Sequence, residues 1–147
     1  MDILSAARMG DINKLKELVS TGLDINQKNE RGHSALMIAA YNAHYSAAEF
    51  LIQQGADVNS VDESGNSILM GVVFKGHAPL FELLIKHGAL LDVLNKKNQS
   101  ALDLAVMFGR RNLIFRINQL QNTDRSASKL EQIKTWAQQI IPESIKS

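Results

Sequence analysis

The stretch Gly55-Ala56-Asp57-Val58-Asn59 decides the fold, because its glycine recurs 33 residues earlier at Gly22 and 33 residues later at Gly88. The same spacing aligns serines, leucines and small residues along most of the chain. These aligned sets are Ser34, Ser67 and Ser100; Leu36, Leu69 and Leu102; Ala6, Ala39, Val72 and Ala105; and Leu18, Leu51, Leu84 and Ile117. A constant period of this length predicts a solenoid, and the aligned apolar positions predict two helices in each repeat, while the period alone would also permit other solenoids.

The recurring serines and glycines predict where the helices begin and end. A serine hydroxyl at the start of a helix accepts a hydrogen bond from a backbone amide that has no partner within the helix, so Ser34, Ser67 and Ser100 are interpreted as N-caps rather than nucleophiles. The three period-defining glycines are predicted to end the second helix of each repeat in the left-handed conformation.

Several segments resemble the ankyrin-repeat family: Gly55-Ala56-Asp57-Val58-Asn59, Ala39-Ala40 followed by His44, and Gly76-His77. The resemblance covers about residues 1–122 and implies a mainly α solenoid of stacked helix-turn-helix units joined by short β-hairpin loops. It implies four repeats, at about 1–27, 28–60, 61–93 and 94–122, of which the first lacks its preceding hairpin.

The chain departs from the family at the start of the first helix, where members commonly have Thr-Pro-Leu-His. The corresponding tetrads here are Ser34-Ala35-Leu36-Met37, Ser67-Ile68-Leu69-Met70 and Ser100-Ala101-Leu102-Asp103. Loss of the proline and the histidine predicts a less stable array with the same fold. Gly71 adds about 1 kcal/mol of cost within a helix, so the third repeat is predicted to be the least stable.

The period fails after Gln121, and residues 123–147 are predicted to form a linker and a C-terminal helix. The polar stretch 122–128 ends in a capping-box pattern, Ser128 to Glu131, so the helix is expected to begin near Ser128. The apolar side of this helix is predicted to comprise Leu130, Ile133, Ala137, Ile140 and Ile141, with Trp136 on its flank and Pro142 at its end. The favoured interpretation is a cap over the last repeat, and the alternative is a helix that binds a partner.

Composition restricts the classes of partner and compartment. The 147 residues include 16 Lys and Arg against 15 Asp and Glu, so no overall charge favours nucleic acid or an anionic membrane. No apolar run approaches the length that spans a bilayer, and cysteine is absent, which excludes disulfides and thiolate ligands. A soluble protein is expected, cytoplasmic as written, or periplasmic or secreted if a signal peptide was removed.

No residue pattern favours catalysis, a metal or a cofactor. His44 and His77 occupy one frame of successive repeats, but the next member of that frame is Arg110, whose charge would repel a metal ion. Ser100 and Asp103 lie in helix-cap frames without a nucleophile motif, and no glycine loop suited to phosphate is present. The prediction is therefore a protein that is not an enzyme and has no metal, no cofactor and no nucleic-acid site.

Ankyrin proteins bind partners through the exposed end of the first helix and the hairpin tips. The 33-residue period identifies the equivalent positions, or frames, in each repeat of this sequence. The helix-end frames hold Arg8, Tyr41, Phe74 and Met107, followed by Met9, Asn42, Lys75 and Phe108. Five of these residues are large and apolar, and we refer to them as the apolar ladder: Met9, Tyr41, Phe74, Met107 and Phe108. An exposed ladder of this kind predicts a binding face, whereas the alternative is that it packs beneath the hairpins or the tail helix.

The hairpin frames complete the predicted binding face. They are Lys28, Glu30, Arg31, His33, Val61, Glu63, Ser64, Asn66, Leu94, Lys96, Lys97 and Gln99. Together with the helix-end frames they contain six cations and two anions, so charge is concentrated on this face relative to the whole chain. A partner with a mildly acidic surface patch is expected, because complementary charge accelerates association.

These features predict a non-catalytic protein-protein interaction module that is monomeric when free. The segment from Ser100 to Arg110 is similar to bacterial ankyrin proteins, which suggests a stoichiometric inhibitor or an immunity-type protein that covers a partner enzyme. The alternatives are a scaffold or adaptor and a secreted effector that binds a host protein, with an enzyme or metal protein third.

Overall fold

The computed structural model describes residues 1–140 and, within them, eight helices joined by short loops. The helices are α1 (Ile3–Met9), α2 (Ile12–Val19), α3 (Ala35–Tyr41), α4 (Tyr45–Gln53), α5 (Ile68–Lys75), α6 (Ala78–Lys86), α7 (Ala101–Met107) and α8 (Arg111–Ile140). They form four consecutive helix pairs, and no helix in this part of the chain is both long enough and apolar enough to cross a membrane.

The helix pairs stack because their shared faces carry small and aliphatic residues in the predicted frames. The first helices pack in the order α1, α3, α5, α7, and the second helices α2, α4 and α6 pack beside them. Ala6, Ala39, Val72 and Ala105 are completely buried at the contacts between first helices, where a larger side chain would push the helices apart. The core is therefore continuous from the first pair to the last, as expected of a repeat solenoid.

The predicted caps are confirmed by the hydrogen bonds at the helix starts. The hydroxyls of Ser34 and Ser67 each accept a bond of 3.2 Å from the backbone amide three residues later, and that of Ser100 accepts one of 3.1 Å. Ser100 also forms a capping box, since its own amide donates to the Asp103 carboxylate at 2.9 Å. Gly22, Gly55 and Gly88 have φ values of 80°, 94° and 93°, as predicted for residues that follow a helix end.

The loops between helix pairs form hairpins that stack on one another. The amide of Glu63 donates to the carbonyl of Arg31, and the amide of Lys96 donates to that of Ser64, each at 3.0 Å. A Cβ atom added to Gly32 would lie 2.8 Å from the backbone nitrogen of Glu63, so the close approach of adjacent hairpins requires glycine there.

The side chain at the start of each hairpin tip holds the turn in shape. Asn29, Asp62 and Asn95 each accept two backbone hydrogen bonds of 2.9–3.0 Å through Oδ1, from the residues two and four positions later. Because the same turn recurs in every hairpin, the tips present their side chains in register along one edge of the stack.

The predicted linker and helix start near Ser128 are wrong, because α8 runs without a break from Arg111 to Ile140. This span contains neither glycine nor proline, and its polar residues lower helix propensity only slightly, so nothing in it terminates the helix. The polar run at 122–128 is thus part of a long helix that also forms the second helix of the fourth pair.

The apolar side of the tail does not cap the last repeat, which corrects the second expectation for this region. Leu113 and Ile117 of α8 are buried in the stack, whereas Leu130, Ile133 and Trp136 are 58%, 50% and 60% exposed. Ile133 follows Ile117 by 16 residues and is therefore rotated by about 160° around the helix axis. We refer to Leu130, Ile133 and Trp136 as the distal stripe. The side chain of Ile140 and the predicted residues Ile141 and Pro142 lie outside the described part of the chain.

Candidate functional site

The ends of the first helices and the hairpin tips enclose a concave groove of about 830 Å³. Fourteen of the residues predicted for the binding face line it: Arg8, Arg31, His33, Tyr41, Asn42, Glu63, Ser64, Asn66, Phe74, Lys96, Lys97, Gln99, Met107 and Phe108. They meet because the period places the same frames of successive repeats side by side, although the residues are far apart in sequence.

The other six predicted residues lie outside the groove lining: Met9, Lys28, Glu30, Val61, Lys75 and Leu94. Lys28 is engaged elsewhere, since its ammonium donates to the carbonyl of Val61 at 2.8 Å. Lys75 lies over the Tyr41 ring, 4.9 Å from its centroid. Met9 is 67% exposed at the first-repeat end of the stack.

Three aromatic members of the apolar ladder contact one another across successive repeats. Tyr41 and Phe74 are stacked with ring centroids 6.5 Å apart, and Phe74 meets Phe108 edge to face at 4.7 Å. Such pairs restrict the rings to defined orientations, although they remain 42%, 37% and 43% exposed, respectively. The ladder is therefore a preorganised apolar surface and is not packed beneath the hairpins or the tail.

The backbone carbonyls of Arg8 and of the ladder residues Tyr41 and Phe74 each contact a side chain of the next repeat. His44 Nε2 lies 2.9 Å from the carbonyl of Arg8, and His77 Nε2 lies 3.2 Å from that of Tyr41. Arg110 takes the same role in the next repeat by donating from Nε and Nη2 to the carbonyl of Phe74, at 3.1 and 2.6 Å.

These contacts give the histidine frame a structural role. A carbonyl oxygen can only accept, so Nε2 is the protonated nitrogen in both His44 and His77 and is not free to bind a metal ion. An arginine can replace histidine in the fourth pair because it supplies the same donor.

Comparison with known proteins identifies the family to which these repeats belong. The sequence model of a family described as ankyrin repeats, in three copies, matches residues 3–62 and 44–117. The chain belongs to the ankyrin-repeat family. The human protein named Ankyrin repeat domain-containing protein 39 is 39% identical over 49 residues, which are 33% of this chain and 27% of that protein. Ankyrin repeats are protein-protein interaction modules and are generally non-catalytic.

The ankyrin groove also contains residues that the sequence interpretation missed. They are Met37, Ile38, Asp62, Ser67, Ile68, Met70, Gly71, Asn95 and Leu104. Ile38, Gly71 and Leu104 share one frame and lie three and four residues before the helix-end frames. Residues at this spacing lie on one helix face, so extending the predicted face by one helical turn would have found the groove floor.

The rim of the ankyrin groove has more positive than negative charge. Four cations, Arg8, Arg31, Lys96 and Lys97, line it with two acids, Asp62 and Glu63. Asp62 is already engaged, because Oδ1 accepts two turn amides and Oδ2 lies 3.8 Å from His33 Nε2. Among the side chains described in residues 1–140, none forms an ion pair with Arg31, Lys96 or Lys97.

The pKa shifts of Asp2, Asp103 and Arg116 are caused by structural contacts outside the groove. Hydrogen bonds from the backbone and side chain of Ser5 lower the pKa of Asp2, and those of Ser100 lower the pKa of Asp103. A two-point hydrogen bond to Glu82, with distances of 2.6 and 3.1 Å, raises the pKa of Arg116. These causes are helix caps and a bridge between repeats, and none of them prepares a group for acid-base chemistry.

Proposed function

We propose that this ankyrin-repeat protein is a stoichiometric binder that covers one partner protein, most simply an enzyme with an acidic surface patch, and thereby inhibits or protects it. The observation that carries the proposal is the preorganised apolar ladder exposed along the groove. Aromatic side chains in this setting are favoured anchors, because covering them removes apolar surface from water without ordering flexible chains.

The charge around the ladder supports the choice of an acidic partner. Arg31, Lys96 and Lys97 lie on hairpin tips, where an approaching protein would meet them first. Complementary charge mainly increases the association rate, while the desolvated aromatic contacts determine how long the complex lasts. A binder with both features is suited to rapid capture and slow release, as required of an inhibitor or an immunity protein.

Native co-purification followed by light scattering tests the proposal. We expect one dominant partner at a one-to-one ratio, and we expect its enzymatic activity to fall when the purified ankyrin protein is added back. Recovery of several unrelated proteins, or of one partner whose activity and stability do not change, would contradict the inhibitor and protector roles.

Alanine variants of the ladder test whether the groove is the contact surface. Truncation of Tyr41, Phe74 or Phe108 should weaken partner binding by about 2 kcal/mol or more at the strongest position and should affect folding less. Tyr45 on α4 is the matched control, since it is as exposed as Tyr41, at 42%, but lies outside the groove. Calorimetry for binding and thermal melts for folding separate the two effects. Equal losses of affinity for Tyr41→Ala and Tyr45→Ala would refute the groove assignment.

A scaffold is the second candidate, favoured by the distal stripe. Leu130, Ile133 and Trp136 form an apolar surface distinct from the groove, and a protein with two such surfaces is suited to bridging two partners. If the protein is a scaffold, Phe74→Ala and Trp136→Ala should each eliminate a different partner from the co-purified set. If both variants lose the same partner, the single-partner function is favoured.

A further inference from the structure

Gly71 lies in the middle of α5, where neither backbone conformation nor lack of space requires a glycine. It is absent from the residues with positive φ, so its backbone conformation suits any amino acid. A Cβ atom added there would find Tyr41 Cδ2 at 3.6 Å as its nearest neighbour outside α5, which is an ordinary van der Waals distance. Alanine would therefore fit.

The absence of a side chain at this position changes the shape of the groove. Gly71 shares a frame with Ile38 and Leu104, and all three line the groove floor. The flanking repeats place branched aliphatic side chains there, whereas the central repeat places only a hydrogen atom. The groove floor consequently has a recess at Gly71 in its central repeat, next to the Tyr41 ring.

Gly71 affects binding through this recess, and it also affects the stability of the fold. Glycine inside a helix is less favourable than alanine because it loses more conformational freedom on folding. The fold gains nothing in return, since an alanine would be accommodated without displacing its neighbours.

We propose that the recess at Gly71 is a specificity pocket that receives one large apolar side chain from an acidic segment of the partner. This inference rests on the proposed function, because it assumes that the groove is the binding face. The Tyr41 ring lies beside the recess, and Ile38 and Leu104 occupy the same frame in the flanking repeats, so the recess matches an apolar side chain. The rim cations Arg31, Lys96 and Lys97, which form no ion pair with the side chains described in residues 1–140, match carboxylates that flank that side chain.

The pocket makes an unusual prediction, because stability and affinity should change in opposite directions. Gly71→Ala should raise the melting temperature by a few degrees and lower affinity at least tenfold. Gly71→Leu, which gives the central repeat the same kind of side chain as its neighbours, should lower affinity further. Ser46→Ala on α4 is the matched control, since it also raises helix propensity at an exposed position but lies outside the groove.

The experiment uses a phage-displayed library of random peptides selected on the full-length chain, with the affinities of the selected synthetic peptides measured by fluorescence anisotropy. We expect peptides with one large apolar residue close to aspartate or glutamate. Replacement of that apolar residue by alanine should cost at least tenfold on the wild-type chain. The same replacement should cost little on Gly71→Leu.

Each alternative outcome has a defined meaning. If Gly71→Leu binds the peptides as tightly as the wild type, or if no peptides with such a residue are selected, the pocket is refuted. The groove assignment survives the first of these outcomes if Phe74→Ala and Lys96→Glu still weaken binding of the peptides. If those two variants bind normally, the peptides use another surface, and the groove assignment and the pocket both fail.

Discussion

At the scale of single residues, Ala43 is the clearest conflict between a side chain and its backbone. It has φ of 62°, and the corresponding residues of the other helix pairs are Gly10, Gly76 and Gly109. A Cβ atom in the left-handed region crowds the following carbonyl and costs roughly 1–2 kcal/mol, which a glycine avoids.

We expect Ala43→Gly to stabilise the protein by about 0.5–1 kcal/mol, since the relief of strain exceeds the added entropy of the unfolded chain. Urea denaturation measures the change. The reciprocal substitution Gly76→Ala should destabilise, because the new Cβ would also lie 3.3 Å from the Arg110 guanidinium. Destabilisation by Ala43→Gly would show that this turn tolerates the alanine.

The capping box at Ser100 predicts a specific dependence of stability on pH. Hydrogen bonds from Ser100 lower the pKa of Asp103, so the charged carboxylate stabilises the folded state. That contribution is complete above the usual carboxyl pKa of about 4 and disappears as pH falls through the lowered value. Asp103→Asn should therefore melt below the wild type at pH 7, and the difference should shrink below about pH 4. A difference that stays constant with pH would refute this role for the charge.

The structural role of a residue can be predicted from sequence when its hydrogen-bond partner is near in the chain, but not when the partner is remote in the chain. The serine caps and the helix-ending glycines were predicted because each depends on a backbone group within a few residues. The bonds from His77 and Arg110 could not be assigned in this way, since their acceptors lie 36 residues earlier in the chain. Gly71 was interpreted only as a weak point, because sequence does not show what faces an absent side chain.

At the scale of helices, α8 shows that a run of polar residues need not interrupt a helix. The polar run 122–128 suggested a linker, yet it contains no residue that terminates a helix, so the helix of the fourth pair simply continues. Because α8 is uninterrupted, the direction of each later side chain around the helix axis is fixed. This direction turns the distal stripe away from the stack. The composition of the stripe was apparent from sequence, but its direction depended on the uninterrupted helix.

Deletion of residues 123–147 should leave the melting temperature nearly unchanged, because the distal stripe buries little surface against the stack. Differential scanning calorimetry measures the effect. Deletion from residue 112 onward is the informative control, since it removes the buried Leu113 and Ile117 and should unfold the fourth pair. A large fall in melting temperature or aggregation of the shorter deletion would support the capping role instead.

At the scale of the whole molecule, the segregated charge should affect the rate of association more than the lifetime of a complex. Lys96→Glu combined with Lys97→Glu should slow partner association several-fold and leave dissociation nearly unchanged, and the effect should shrink at high salt. Surface plasmon resonance at two ionic strengths measures both rates. Lys16→Glu on the second-helix side is the control. A salt-independent loss, or one confined to dissociation, would indicate a direct contact in place of steering.

The groove was predictable in outline because a period of constant length places equivalent residues side by side. The apolar ladder and the hairpin cations followed from alignment of frames, and most of them line one concavity. Its floor did not follow, since Ile38 and Leu104 have the composition of core residues and are buried, and only the stacking of the helices places them along the groove. The recess at Gly71 depends both on the regular stacking of the repeats and on one residue that departs from the repeat pattern.

The stacking of the hairpins sets a rule for lengthening this array by engineering. Asn98 occupies the position of Gly32 and Gly65 in the last hairpin and keeps a φ of 59°. No further hairpin packs against it within the described residues 1–140, whereas a grafted fifth repeat would bring a backbone within about 3 Å of that Cβ, as Glu63 approaches Gly32. We therefore expect an extended version to assemble only when Asn98→Gly accompanies the graft, because glycine leaves room for the backbone of the added hairpin.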